Sequence, residues 1–446
     1  MSKRKKSKSS TSSIYIIGSD SFNMKLLENM PDADKYYFIP TLDMEDTNPG
    51  NLYVDFDELY ATARKKITEH ERKPDAIIGH YDFPVTSLVP LLRRDFEIPG
   101  ASPESVAKLE HKYWMRKEQE KIFPDTTPDY VAINPFDPAQ ARKDIPDYPF
   151  WLKPVMGHSS MLGFMVEDDD DFERALHACR QEIHALGEPF TQFLAHLDNK
   201  NEIGEIDGNY AVAESLISAP EQFTLEGYVH NENVTIYGVI NSLRQGKHNS
   251  SFACYKYPGK LPDAIIKKAT DYTQRFLNYI EYDDAAFNIE FFWDPETDVV
   301  NLLEINPRIS KSHSPLFDMV DGSTHHKVPI DLCLGKKPQM PEKKGNVQIA
   351  GKFMLRSFEK DGIVKQVPSQ DKIDELKRIF PDMSVHIHVN KDQKLSTLPF
   401  QDSYSYEIAV IFLGAENEEM LIDMYERCQD SLDILIKPMP AEELAS

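Results

Sequence analysis

Two glutamates, an asparagine and an arginine interrupt two adjacent apolar runs, AAFNIEFFWD at 285–294 and VVNLLEINPRIS at 299–310. If Trp293 pairs with Val299 across the turn-rich DPETD, the even-numbered residues of both strands share one face. Asn288, Glu290, Glu304 and Asn306 then lie together, with Glu290 diagonal to Glu304. Carboxylates that close repel one another unless a cation stands between them. Oxygen ligands from Glu290, Glu304 and Asn306, with positions left for phosphates and water, suit Mg²⁺ or Mn²⁺ better than zinc. A hairpin with an ordinary wet face would explain the two glutamates taken alone; Asn306 and Arg308 favour the metal site. The Arg308 fork would hold phosphate or carboxylate oxygens beside the ion, or else form a salt bridge to one of the glutamates.

A second constellation lies upstream, in FWLKPVMGHSSMLG at 150–163. Lys153 stands on a strand that opens into a loop of small residues, Gly157, Ser159, Ser160 and Gly163. A point charge beside free backbone N–H groups is a way to hold phosphates, although a surface hairpin would read the same in isolation.

The surrounding elements must bring these segments together. SIYIIG, KYYFIP and DAIIGH read as strands alternating with helical segments at 21–30 and 57–71, which implies a parallel sheet. This unit has no G-x-G-x-x-G, so its expected role is a scaffold whose loop ends form one wall of a cleft. Residues 103–122 read as one helix and DDDDFERALHACRQEIHAL as an acidic-started amphipathic helix. Residues 210–256 alternate as in an antiparallel sheet, 262–280 is helical, and short strands with helices near 370–379 and 415–432 close the chain.

Taken in order, EHKYWMRK, FWLKPVMGHSSMLG, YAVAESLISAPEQFTLEGYV and the hairpin resemble the nucleotide site of the ATP-grasp ligases, over roughly 110–335. The strand-rich C-terminal part resembles the biotin-carboxylase and L-amino-acid-ligase branch. The resemblance implies a mixed α/β and α+β architecture. It would comprise a basic tail at 1–13, a parallel α/β pre-ATP-grasp domain at 14–108, an ATP-grasp domain at 109–340 and a small α+β domain at 345–440. It also implies ATP and Mg²⁺ (or Mn²⁺) as cofactors. Lys112 and Lys153 would bind phosphates under the loop of Gly157, Ser159 and Ser160. Glu214, Ser215 and Leu216 would form the adenine hinge and Glu221 would face the ribose. Glu290, Glu304 and Asn306 would hold the metal, and Arg308 would stabilise the reacting phosphoryl or acyl group. Lys112 has a competing explanation, since a solvated helix face accounts for it together with Lys108 and Lys117.

Carboxylases of that branch follow the arginine with xQVEHP, whose glutamate is a base; here Ser312 takes its place. The resemblance then implies a carboxylate–amine ligase of the amino-acid or dipeptide type, which passes through an acyl phosphate and releases ADP and phosphate. A carboxylase-like enzyme and a non-catalytic nucleotide-binding scaffold are the alternatives. Lys311 and His313 could bind a substrate anion. His313 could instead deprotonate an incoming ammonium, or merely cap a helix starting near Ser314. His386 aligns with a carboxylase arginine. Tyr255, Lys256 and Tyr257 could line the acceptor pocket, His325 and His326 read as a helix start, and His80 as a loop histidine.

A formal net charge of −23 over 446 residues argues against nucleic-acid or anionic-membrane partners and for small-molecule substrates. Cys179, Cys254, Cys333 and Cys428 form no C-x-x-C pair and read as buried thiols in a reducing compartment. The basic, Ser-rich start has no apolar run behind it, and eighteen consecutive apolar residues occur nowhere, which together point to a cytoplasmic protein. A homodimer is the expected assembly on general grounds.

Overall fold

The computed structural model describes residues 11–48, 53–143, 145–158, 160–202, 204–217, 219–359, 361–399 and 401–439. Most of the expected basic tail, residues 1–10, lies outside these. Its last residues are not tail: Ser12 and Ser13 open the first strand, Ser12–Ser19, where the Ser13 N–H donates to Asp75 at 2.7 Å.

That strand sits between Tyr36–Asp43 and Ala76–Gly79, parallel to both, as the alternation of strands and helices implied. Ile14, Ile16, Ile17, Ile77 and Ile78 are fully buried in it. The loops at the carboxyl ends of these strands carry Asp20, Phe22, Tyr81 and Asp82 into a cleft of about 1360 Å³. Clefts at the carboxyl ends of parallel strands are where α/β folds place ligands.

Two larger antiparallel sheets and one two-stranded pair follow among the described residues. The smaller has the order Tyr130–Ile133, Ala211–Ser215, Phe150–Pro154, Phe164–Val166. The larger runs from the hairpin Val299–Asn306 and Ala285–Asp294 through Glu221–His230, Asn233–Gln245 and Ser251–Tyr257. It continues into Ile349–Ser357, Tyr406–Ala415 and Ser384–Ile387. The strands expected in a separate C-terminal domain are therefore hydrogen-bonded to the central ones, with Cys254 opposite Phe353 and Tyr257 opposite Ala350. A short pair, Gly362–Gln366 with Leu435–Pro438, was not foreseen.

The hairpin is amphipathic in the sense its sequence requires. Phe287, Ile289, Phe291 and Leu302 are fully buried against Ile265, Ala269, Phe276 and Leu277 of the helix Asp263–Tyr279. Each such side chain contributes about 1.5–3 kcal/mol by leaving water, which anchors the strands and leaves their other face to the cleft.

One expected helix is two. Pro103–Glu110 ends at His111, whose backbone is extended at φ −83° and ψ 98°, and Lys112–Ile122 begins there. The His111 imidazole caps the new helix by accepting from the Trp114 N–H at 3.2 Å. The break lets Lys112 N–H donate to Val155 O at 2.9 Å, which ties this helix start to the phosphate-loop strand. The acidic-started segment likewise divides into Asp169–Glu182 and His184–Ala195. All four cysteines are buried free thiols, as expected. Among the described residues no helix is long and apolar enough to cross a membrane.

Candidate active site

Asn288, Glu290, Glu304 and Asn306 all face the cleft, but their register differs from the expectation. Trp293 pairs with Val300 and Asp294 with Val299, so the turn is PETD at 295–298. Leu303 is then an extra residue, a β-bulge, and Glu290 comes to stand directly opposite Glu304 rather than diagonal to it. Burial and the neighbouring Glu304 push the Glu290 carboxyl up, to about 7. Burial works to raise Glu304 as well, but Lys112, Lys153 and Arg308 hold it below the ordinary carboxylate range. Gln222 Nε2 donates to Glu290 at 2.8 Å, and Asn306 Nδ2 donates to Asn288 Oδ1 at 3.2 Å, which leaves the Asn306 oxygen for another partner. Two opposed carboxylates with a spare amide oxygen are a donor set that fits Mg²⁺. Among the described residues no group of three or more His, Cys, Asp or Glu is arranged to hold a metal, so these three oxygen-bearing side chains are the candidate set.

Both lysines reach the same place. Lys112 Nζ donates to Gly157 O at 2.7 Å and lies 3.7 Å from Glu304. Lys153, 9 % exposed, is 2.9 Å from Glu214. The Glu214 carboxylate, which lines the cleft, is thus committed to cations: Arg116 Nε also donates to it at 2.9 Å. Burial raises Glu214, but Arg116 and Lys153 bring it down to about 2. Ser215 is bonded in both directions to the backbone of Asp129, while Leu216 and Glu221 line the cleft near its mouth. Gly157 and Ser160 line the cleft too; Ser159 lies outside the described residues.

Arg116 was not foreseen. It is fully buried and also donates to the carbonyls of Leu302 and Leu303, at 3.1 and 2.9 Å. Helix, hinge strand and bulge are joined by one guanidinium.

Arg308 pairs with neither glutamate. Its Nε donates to Asp82 of the N-terminal unit at 2.7 Å, and Nη2 donates to the same oxygen. Burial raises Asp82, but Arg308, His158 and Lys311 together outweigh it and keep the carboxyl ionised well below its usual range. His313 stands at the N-terminal boundary of the helix Ser314–Asp321, yet its side chain makes no capping bond. Its Nδ1 lies 2.7 Å from Glu226, which is fully buried and also accepts from Asn288 Nδ2 at 2.7 Å. Nε2 of His313 is buried without a hydrogen-bond partner, and the residue lines the cleft. Burial lowers the imidazole pKa more than Glu226 raises it, so the ring is neutral near pH 7. An Nδ1–H given to Glu226 leaves the Nε2 lone pair free, as a proton acceptor requires.

Of the proposed acceptor trio only Tyr255 faces the cleft. Lys256 is paired with Glu418, and the Tyr257 hydroxyl donates to Asp321 at 2.5 Å. His325 and His326 are fully buried before the helix Lys327–Cys333, and His80 sits 3.4 Å from Asp20, 1 % exposed. His386 lies on the strand Ser384–Ile387 and borders the cleft.

Residues 146–315 match the family model of the ATP-grasp domain. The chain is 24 % identical over 349 residues to the C-terminal section of the carbamoyl phosphate synthase large chain of Methanopyrus kandleri. That match covers 74 % of this chain and 55 % of the relative. The corresponding large chain of Methanobrevibacter smithii is 20 % identical over 273 residues, covering 60 % of this chain and 23 % of the relative. The chain therefore spans about half the length of the first relative and a quarter of the second. Among solved structures, L-amino acid ligase from Bacillus licheniformis superposes with a TM-score of 0.67 at 15 % identity, covering 95 % of this chain and 98 % of that one. N5-carboxyaminoimidazole synthase from Aspergillus clavatus, in complex with ADP, gives 0.61 at 14 % identity, covering 95 % and 99 %.

Proposed function

We propose, from the match of residues 146–315 to the ATP-grasp domain model, that the chain is an ATP- and Mg²⁺-dependent carboxylate–amine ligase releasing ADP and phosphate. The observation that carries the reading is the opposition of Glu290 and Glu304 in a cleft shared with Lys112, Lys153 and Arg308. Glu290, Glu304 and Asn306 would hold the metal, which when bound neutralises phosphate charge. Lys112 and Lys153 bind nucleotide phosphates, with Gly157 and Ser160 in the covering loop. Ser215 and Leu216 border the base and Glu221 the ribose. Arg308, held by Asp82, aims its remaining N–H groups at the reacting carboxylate and its phosphoryl group.

The carboxylate oxygen attacks the terminal phosphorus and ADP leaves, giving an acyl phosphate. His313 Nε2 then takes a proton from the ammonium of the second substrate. The free amine attacks the acyl carbon, the C–O bond to phosphate breaks, the second amine proton leaves on the departing phosphate as hydrogen phosphate, and an amide remains. Ser312, whose hydroxyl accepts from Lys352 at 2.9 Å, stands where a bicarbonate base would be needed, which speaks against carboxylation.

The test is a panel of carboxylic acids and amino acids screened with Mg²⁺ and ATP for ADP release, with mass spectrometry of the product. Amide formation that requires both an acid and an amine supports the reading. ADP release that needs bicarbonate instead, or ATP binding without turnover across the panel, contradicts it.

A further inference from the structure

The cations of the cleft fall into two groups. Lys153, Arg308 and Arg356 are paired with carboxylates, of Glu214, Asp82, and Asp402 with Glu407, and Lys112 lies 3.7 Å from Glu304. Arg244 donates to Ser250 O and lies over the Phe252 ring. Lys311 and Lys352 have no carboxylate within 4.0 Å among the described residues. Lys311 Nζ rests 3.5 Å above the Tyr81 ring, and Lys352 Nζ donates to Ser312 Oγ, on the residue next to Lys311. Both lysines are half-buried and line the cleft. Withdrawing two neighbouring ammonium groups from water is unfavourable; Asp82 and Asp20 attract Lys311 and Glu407 attracts Lys352 from beyond ion-pair distance, but burial outweighs them, and an entering anion would offset it.

The walls beside them are apolar and aromatic. Lys352 stands opposite Phe412, and Met354 opposite Val410, which in turn faces His386. Phe22 stacks on Phe412 at 5.9 Å and meets His386 edge-on at 4.7 Å. His313, 3 % exposed with Nε2 unpartnered, lies against Tyr255 at 4.9 Å, and Lys352 Nζ is 5.7 Å from the centre of the same ring.

We infer that Lys311 and Lys352 form an anion subsite for the α-carboxylate of the amine substrate. That substrate is an amino acid with an aromatic or bulky apolar side chain, packed among Phe22, Met354, Val410 and Phe412. The inference rests on the ligase reading and deepens it: a carboxylate fixed on the two lysines brings the adjacent α-ammonium toward His313, and Arg308 is left for the carboxylate that reacts. A simple amine would lack the group that these lysines recognise.

The test is calorimetric binding of phenylalanine to the full chain with Mg²⁺ and a non-hydrolysable ATP analogue, beside phenethylamine and alanine. Phenylalanine is expected to bind at least about tenfold more tightly than either, a difference of roughly 1.4 kcal/mol. Lys311→Met and Lys352→Met should each weaken phenylalanine by about tenfold or more, leave analogue affinity within about twofold, and keep or raise the thermal midpoint of the free protein, since each removes a charge whose burial outweighs the attraction of the more distant carboxylates. Equal binding of phenethylamine, no binding of phenylalanine, or loss of analogue affinity in the lysine variants would overturn the subsite. Phenylalanine binding that follows the lysines, without ADP release from any acid and amine pair, would retain the subsite and sink the ligase reading. Turnover with amines lacking a carboxylate would do the reverse.

Discussion

Arg116 donates to the carbonyl of Leu303 at 2.9 Å, across 187 residues of chain, and Leu303 is the extra residue that brings Glu304 opposite Glu290. The same guanidinium holds Glu214, the partner of Lys153. Arg116→Met leaves the buried Glu214 with one cation and two carbonyls without donors. Breaking such a pair costs about 3–5 kcal/mol. Urea unfolding should register that loss, and Mg²⁺ affinity should fall with it. An unchanged Mg²⁺ titration in a folded variant would separate Arg116 from the register of the carboxylates.

Asp82 fixes the fork of Arg308 from the N-terminal unit. Asp82→Asn keeps the shape and removes the charge. The account predicts a fall in kcat of about ten- to a hundredfold with the KM for ATP within about twofold, because positioning of the reacting group is lost while nucleotide contacts remain. Steady-state kinetics decide it, and a variant in which only the ATP KM moves would contradict the assignment.

Glu290 supplies a pH signature. Its carboxyl is raised from 4.5 to about 7 in the metal-free protein, by burial first and Glu304 second. The unfolded chain releases this proton first, so the group lowers stability as pH rises from about 4.5 to about 7 and is level above that. Mg²⁺ binds the ionised form, so affinity should climb over the same interval with release of one proton. Glu290→Gln should abolish both slopes, as measured by thermal unfolding and calorimetry at several pH values.

The pair of His313 and Glu226 predicts a separable effect on the second chemical step. His313→Ala should lower amide formation by about 10²–10⁴-fold, the usual contribution of a general base. Glu226→Gln should lower kcat less and move the acidic limb of the pH profile. If acyl phosphate accumulates at the wild-type rate in both variants and is trapped by hydroxylamine, the loss lies after phosphoryl transfer. A block before that step would be inconsistent with the role given to His313.

Alternation was enough to put Asn288 with Glu290, and Glu304 with Asn306, on one face of each strand, because a period of two follows from the pleat; that the two pairs share a face rests on the bulge at Leu303. The bulge at Leu303 left no trace in the residue types, and the donor to its carbonyl, Arg116, lies 187 residues away. Lys153 and its loop were legible as local chemistry. Arg116, Asp82 and Glu226 were not, since their partners lie 98, 226 and 87 residues away in the chain. The N-terminal parallel sheet was recoverable from strand–helix alternation. The joining of the C-terminal strands to the central sheet was not, because alternation shows that Ser251–Tyr257 and Ile349–Ser357 are strands but not that they pair.

The central claim is that the opposed carboxylates hold the metal on which ATP cleavage depends. Glu304→Gln removes one charge with little change of volume, and the variant should remain folded by circular dichroism. With a substrate pair identified by the panel, ADP release measured against Mg²⁺ concentration should fall by at least about a thousandfold, the scale on which loss of transition-state charge stabilisation is felt. Turnover at the wild-type rate and with the wild-type Mg²⁺ dependence would contradict the claim.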